Sequence, residues 1–185
     1  MPSSFLQSAL TSVSRCLSVW RLFSRGGITT GGGMKTLATI EGQPVTWDGS
    51  VLRFKGRGRV DNDGSGPANG DPYHQNDTSL HHNGKPLNAE VDRFIVIPSQ
   101  IIKMIAPIVL GSQAYVTYRG KTLPAVVGDI GPKSRLGECS TSLLRDFGIN
   151  TNPNTGGIDT PELDYEIHAG VPAVVNGIKY SLQAS

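Results

Sequence analysis

Ala125-Val-Val-Gly-Asp-Ile-Gly-Pro-Lys-Ser-Arg-Leu-Gly-Glu-Cys-Ser-Thr-Ser-Leu-Leu-Arg-Asp-Phe-Gly148 is the stretch around which the rest of the chain arranges itself. Its apolar start, Ala125 to Val127, predicts a buried strand ending at Asp129. Gly131-Pro132 predicts a sharp turn, Gly137 a second one, and Ser140 to Phe147 a short helix. Asp129 therefore closes a strand, and Glu138 stands nine residues on, just ahead of a helix. Two carboxyls held at element ends are what glycosidic cleavage needs: one acid protonates the leaving oxygen, and one base or nucleophile serves the opposite face. The structural alternative is that Asp129 holds the Gly-Pro turn and Glu138 favours the helix N-terminus through its dipole.

Working outward, the 185 residues suit one domain with a real core. With 23 Gly, 12 Pro and only 6% aromatics, the composition predicts many short strands and turns rather than a helical bundle. The net charge is +2, but residues 1–36 carry Arg15, Arg21, Arg25 and Lys35 and no acid. The remainder holds 13 of the 17 bases against all 15 acids. A mildly acidic body argues against a nucleic-acid partner and suits a cationic substrate. No apolar run reaches the ~18 residues of a membrane span.

Residues 1–33 read as a separate leader or disordered extension, and 34–185 as the catalytic domain. The leader is acid-poor, bears Arg and Ser, and spaces Phe5, Leu6, Leu10, Val13 and Leu17 loosely as a helix would, like a transit peptide. Met34 offers an alternative start. Thr36 to Ile40, Val45 to Asp48 and Val51 to Lys55 alternate as a small β-meander. Residues 56–86 read as a long polar loop, a length that usually signals function or disorder. Val91 to Pro98 predicts a buried strand, and Ser99 to Ile105 a helical turn capped by Ser99. Strands follow at 108–110, 114–118 and 121–127. Asn150 to Asp159 reads as a loop, Leu163 to His168 as a strand, and Val174 to Leu182 as a closing hairpin strand.

Asp61, Asp63, Ser65 and Gly66 match the first half of a calcium loop, but Pro72 stands where its bidentate Glu belongs, so no metal or other cofactor is expected. His74, His81, His82 and His168 lack zinc-type spacing. Cys139 is the single cysteine of the body, Cys16 lying in the leader, and reads as a small buried residue. Trp47, Tyr73, Tyr115 and Tyr118 are candidates to stack on sugar rings.

Val60-Asp-Asn-Asp-Gly64, Gln75-Asn-Asp-Thr-Ser79, Leu87-Asn-Ala89, Phe94-Ile-Val-Ile-Pro98, Gly128-Asp-Ile-Gly-Pro132, Leu136-Gly-Glu-Cys-Ser140 and Tyr165-Glu-Ile-His-Ala-Gly170, in this order and spacing, resemble the family 75 chitosanases. The resemblance implies an endo-acting, inverting glycoside hydrolase cleaving β-1,4-linked glucosamine polymers, with Asp129 and Glu138 as the catalytic pair. It implies a secreted protein, although 1–33 lacks the form of a secretory signal, and a monomer is expected. The central stretch also resembles double-psi β-barrels, including expansin-like proteins and lytic transglycosylases. That implies a mainly β, six-stranded double-psi-type barrel with one or two short helices. It also supplies two rival functions: cleavage of peptidoglycan, and polysaccharide binding without catalysis. Glu138, in the more apolar setting, is expected to be the general acid and Asp129 the base, the exchanged roles being the alternative, while Asp61, Asp63, Asp77 and Tyr73 are expected to bind substrate.

Overall fold

The computed structural model describes residues 33–105 and 109–184. The leader, apart from Gly33, and Ile108 of the strand expected at 108–110 lie outside them. Strands β1 (Lys35–Ile40), β2 (Gln43–Trp47) and β3 (Val51–Asp61) form the expected antiparallel meander. β4 (His81–His82) and β5 (Lys85–Pro86) make a small hairpin within the polar segment. Then come β6 (Phe94–Pro98), helix α1 (Ser99–Met104), β7 (Ser112–Tyr118), β8 (Lys121–Gly131), β9 (Glu138–Ser140) and helix α2 (Thr141–Asp146). β10 (Ile158–Pro172) and the two-residue strands β11 (Val174–Val175) and β12 (Ile178–Lys179) end the chain.

Six of these strands close on themselves in the order β3-β10-β7-β8-β6-β9 and back to β3. β6–β8 and β3–β9 run parallel, and the other four contacts of the ring are antiparallel. The fold is thus the mainly β, six-stranded barrel with two short helices that the sequence predicts. Leu52, Phe94, Ile95, Val116, Val126 and Ile167 are each fully buried in it. Phe54 and Tyr165, opposite one another on β3 and β10, stack with ring centroids 4.7 Å apart.

Several boundaries move for physical reasons. Gly56 to Asp61 continue β3, although their glycines read as loop. Their lack of side chains lets neighbours close in: a Cβ on Gly56 would stand 2.9 Å from the Tyr165 ring and 3.0 Å from the Gly137 Cα. β6 begins only at Phe94, since Val91 is exposed in a turn whose N–H donates to the Asn88 carbonyl. Ser99 does not cap α1: the strand runs directly into the helix, Pro98 occupies the capping position, and no side chain bonds there. Ser140 does cap α2, its Oγ accepting the Leu143 N–H. The expected closing strand is a tight hairpin, β11 and β12, turned by Asn176 and Gly177 at positive φ.

Candidate functional site

Val96 of β6 joins the two catalytic candidates. It is the register partner of Asp129 on one side and of Glu138 on the other. Partners in register point to the same face, so Asp129 and Glu138 flank Val96 with Cα atoms about 10 Å apart, twice the strand spacing. The β6–β8 register slips by one residue between Ile95 and Val96, leaving Gly128 as the extra residue of a bulge. Such a bulge re-aims the side chain that follows it, and the one that follows is Asp129.

Both carboxyls line one open cleft of about 480 Å³, with Asp61, Asp63, Asp71 and Tyr73. The cleft lies between the β8–β9 turn and the loop 62–80. A second hollow of about 320 Å³ runs on from it past Glu138 to Asn154 and Asp159. A larger hollow, about 580 Å³, lies elsewhere on the barrel, over β3, β7 and β10. Its charges are spent on one another, Arg53 pairing with Asp48 and Glu166, and Lys55 with Asp164.

Asp129 is held at one oxygen. Its Oδ1 accepts the Ser79 N–H at 2.8 Å, the Ile130 N–H at 2.8 Å and the Ser79 hydroxyl. Its other oxygen makes none of these bonds. Glu138 is largely enclosed, and burial pushes its carboxyl above the usual carboxylate range; Arg135, 3.3 Å from Oε1, partly opposes that shift. The segment before Glu138 is braced from the β1–β2 turn. Arg59 donates to the Leu136 carbonyl and pairs with Glu41, whose Oε2 also accepts the Leu136 N–H.

One oxygen each of Asp61, Asp63 and Asp129 lies within 4.8 Å of the others. Three like charges so close cannot all persist cheaply. Asp61 is pushed up to about 8, chiefly by burial and then by the neighbouring acids, against the opposing Asp63 N–H bond to its Oδ1 at 2.8 Å. Asp63 is also raised by burial, while its carboxylate accepts the Gln75 N–H at 2.7 Å. Asp61 thus lines the cleft, as expected of a substrate-binding residue, with burial favouring its neutral form. Asp63 is the carboxylate beside it that can serve.

This has a consequence for stability. Folded Asp61 keeps its proton to about pH 8, while an unfolded Asp releases it near 3.8. Between those values the native state binds more protons than the unfolded one, so this group lowers stability as pH rises. Asp61→Asn keeps an acceptor for the Asp63 N–H and removes the titration. The variant is expected to melt several degrees above the parent at pH 7.5, with the gain vanishing near pH 4, in Tm measured across pH.

Tyr73 stands 85% exposed on the cleft rim, placed as a stacking platform. Asp77 does not reach the cleft: it is exposed and occupied by His81, whose Nε2 lies 2.7 Å away, and by the Thr78 N–H. Sequence reasoning missed Ser79, Gln75, Asp71 and Arg135 as parts of the site. The central stretch 125–148, the polar segment 56–86 and the run Gln75 to Ser79 drew attention to this neighbourhood, but none assigned these side chains a role. Cys139 is fully buried, its Sγ 3.0 Å from the Tyr165 hydroxyl, and burial pushes its thiol up to about 12, which leaves it inert.

No family model matches the chain, and no curated protein matches it. Among solved structures it is similar to the Streptomyces papain inhibitor (SPI), at 16% identity and a TM-score of 0.41, over 63% of this chain and 94% of that one. A likeness of that size carries nothing about activity from one chain to the other.

Proposed function

We propose that the protein is an endo-acting glycoside hydrolase that cleaves β-1,4-linked glucosamine polymers with inversion, as its resemblance to the family 75 chitosanases implies. The observation that carries the reading is the placing of Asp129 and Glu138 on either side of Val96 in one cleft. Carboxyls borne on Cα atoms two strands apart fit the ~6.5–9.5 Å separation that leaves room for a water in an inverting site. Glu138, whose burial favours the protonated form, gives its proton to the leaving oxygen as the glycosidic bond breaks and the bonding pair passes to that oxygen. A water attacks the anomeric carbon from the opposite face, and its proton passes to the free oxygen of Asp129. Asp63 and Asp71 favour a cationic sugar in the cleft, and Tyr73 offers it a ring face. An extracellular setting is the one such a substrate implies.

Product analysis on soluble chitosan, chitin oligomers and peptidoglycan side by side tests the proposal. New reducing ends and short oligomers from chitosan are expected, with the α-anomer formed first. Clearing of cell walls without release of reducing ends from chitosan would favour the peptidoglycan reading. Saturable binding of polymer with no cleavage would leave only a binding barrel.

A further inference from the structure

We infer that Ser79 is a positioning residue for the base: it sets the rotation of the Asp129 carboxyl and thereby presents a single free oxygen to the attacking water. The inference rests on the proposed reading of Asp129 as that base. Ser79 belongs to the loop 62–80, fifty residues away in sequence, and gives two of the three hydrogen bonds on Asp129 Oδ1, one from its N–H and one from its hydroxyl. The third comes from the Ile130 N–H, which also lies 3.2 Å from the Ser79 hydroxyl oxygen. The hydroxyl is thus a link between the β8 backbone and the carboxylate. A carboxyl with three donors on one oxygen cannot rotate without giving them up, so Oδ2 alone remains for chemistry.

The same contacts seat the loop. Next to Ser79, the Leu80 N–H donates to the Gly128 carbonyl at the bulge, and further back the Gln75 N–H donates to Asp63. The wall that carries Asp63, Tyr73 and Gln75 is therefore anchored on the residue that orients the base. A purely structural pin would serve that wall alone. A positioning residue acts on the chemical step.

Ser79→Ala keeps the backbone N–H and removes only the hydroxyl, and Ser79→Thr restores the hydroxyl. In steady-state kinetics on chitosan, Ser79→Ala is expected to lower kcat about tenfold with KM within about twofold, the loss of one hydrogen bond to a charged group in an aligned site. Ser79→Thr is expected to recover most of that loss, and the Tm of Ser79→Ala is expected to stay close to the parent's. An aryl oligoglucosaminide with a good leaving group separates the two sides of the reaction. Glu138→Gln recovers on it, because no acid is needed, whereas Ser79→Ala stays slow, because water must still be activated. Unchanged kcat in Ser79→Ala, a defect confined to KM or Tm, or recovery on the activated substrate would each overturn the inference. If the parent protein cleaves no glucosamine polymer at all, it is the proposed function that fails.

Discussion

On the proposed function, Glu138→Gln and Asp129→Asn are each expected to lower kcat on glucosamine polymers by at least ~100-fold, the scale for removal of a positioned acid or base. Each substitution is close to isosteric, so Tm and oligomer binding should change little and the loss should sit in kcat. In Asp129→Asn the amide oxygen would still accept the three donors that Oδ1 of Asp129 accepts, but the side chain could not take a proton from water. In Glu138→Gln the amide would fill the same enclosed space but hold no acidic proton to give. The pH profile carries the same information. The proposed reaction needs Glu138 protonated, so activity is expected to fall as pH rises through the pKa of that group, which burial holds above the usual range. Enclosure thus keeps the acid limb of the pair working to higher pH than a surface glutamate would. Profiles of kcat/KM from pH ~3 to ~9 test this, and retention of activity in both variants would remove the two-carboxyl mechanism.

Gly128→Ala is expected to damage the fold and the site together. A Cβ there would stand 2.6 Å from the Phe94 Cβ and 2.7 Å from Leu87 Cδ1. Phe94 is fully buried and Leu87 nearly so, which leaves neither room to yield. Overpacking of this kind costs about 3 kcal/mol, or a Tm lower by roughly 10 °C for a unit of this size. Urea unfolding measures the first and a thermal melt the second. The damage should reach the chemistry, because the bulge at Gly128 aims Asp129 and its carbonyl holds the Leu80 N–H that seats Ser79. An unchanged Tm would mean that β8 can slide past β6 at this point.

Much of this was legible in the sequence, and the reasons differ from place to place. Phe94 to Pro98 and Ala125 to Val127 are unbroken apolar runs, the pattern of strands buried on both faces. Asp129 and Glu138 stood out because each follows a glycine at the edge of an element. Gly56 to Asp61 misled, since a glycine read alone signals a turn, while here it signals backbone packed against a tyrosine ring. Ser79 could not be found locally: its role arises from a contact across fifty residues. Asp77 misled for the opposite reason. It sits in the same polar segment as Asp61 and Asp63, but a histidine four residues on claims it, and only coordinates show which acids turn inward. The upward shift of Asp61 is likewise a property of the assembled cluster, because one aspartate has no enclosure and no neighbours until the barrel closes.

The proposed chemistry and the proposed recognition surface are built on different parts of the chain. Asp129 and Glu138 stand on ladders of a ring that has no loose end, whereas Asp71 and Tyr73 hang from the outer span of the loop 62–80. The Asn62 amide donates to the Ala68 carbonyl and His74 Nδ1 lies 2.9 Å from the Asn62 carbonyl, so the span open to exchange as a cassette is residues 70–73. On the proposed function, a library built that way would explore which polymers are admitted while the reacting groups keep their alignment.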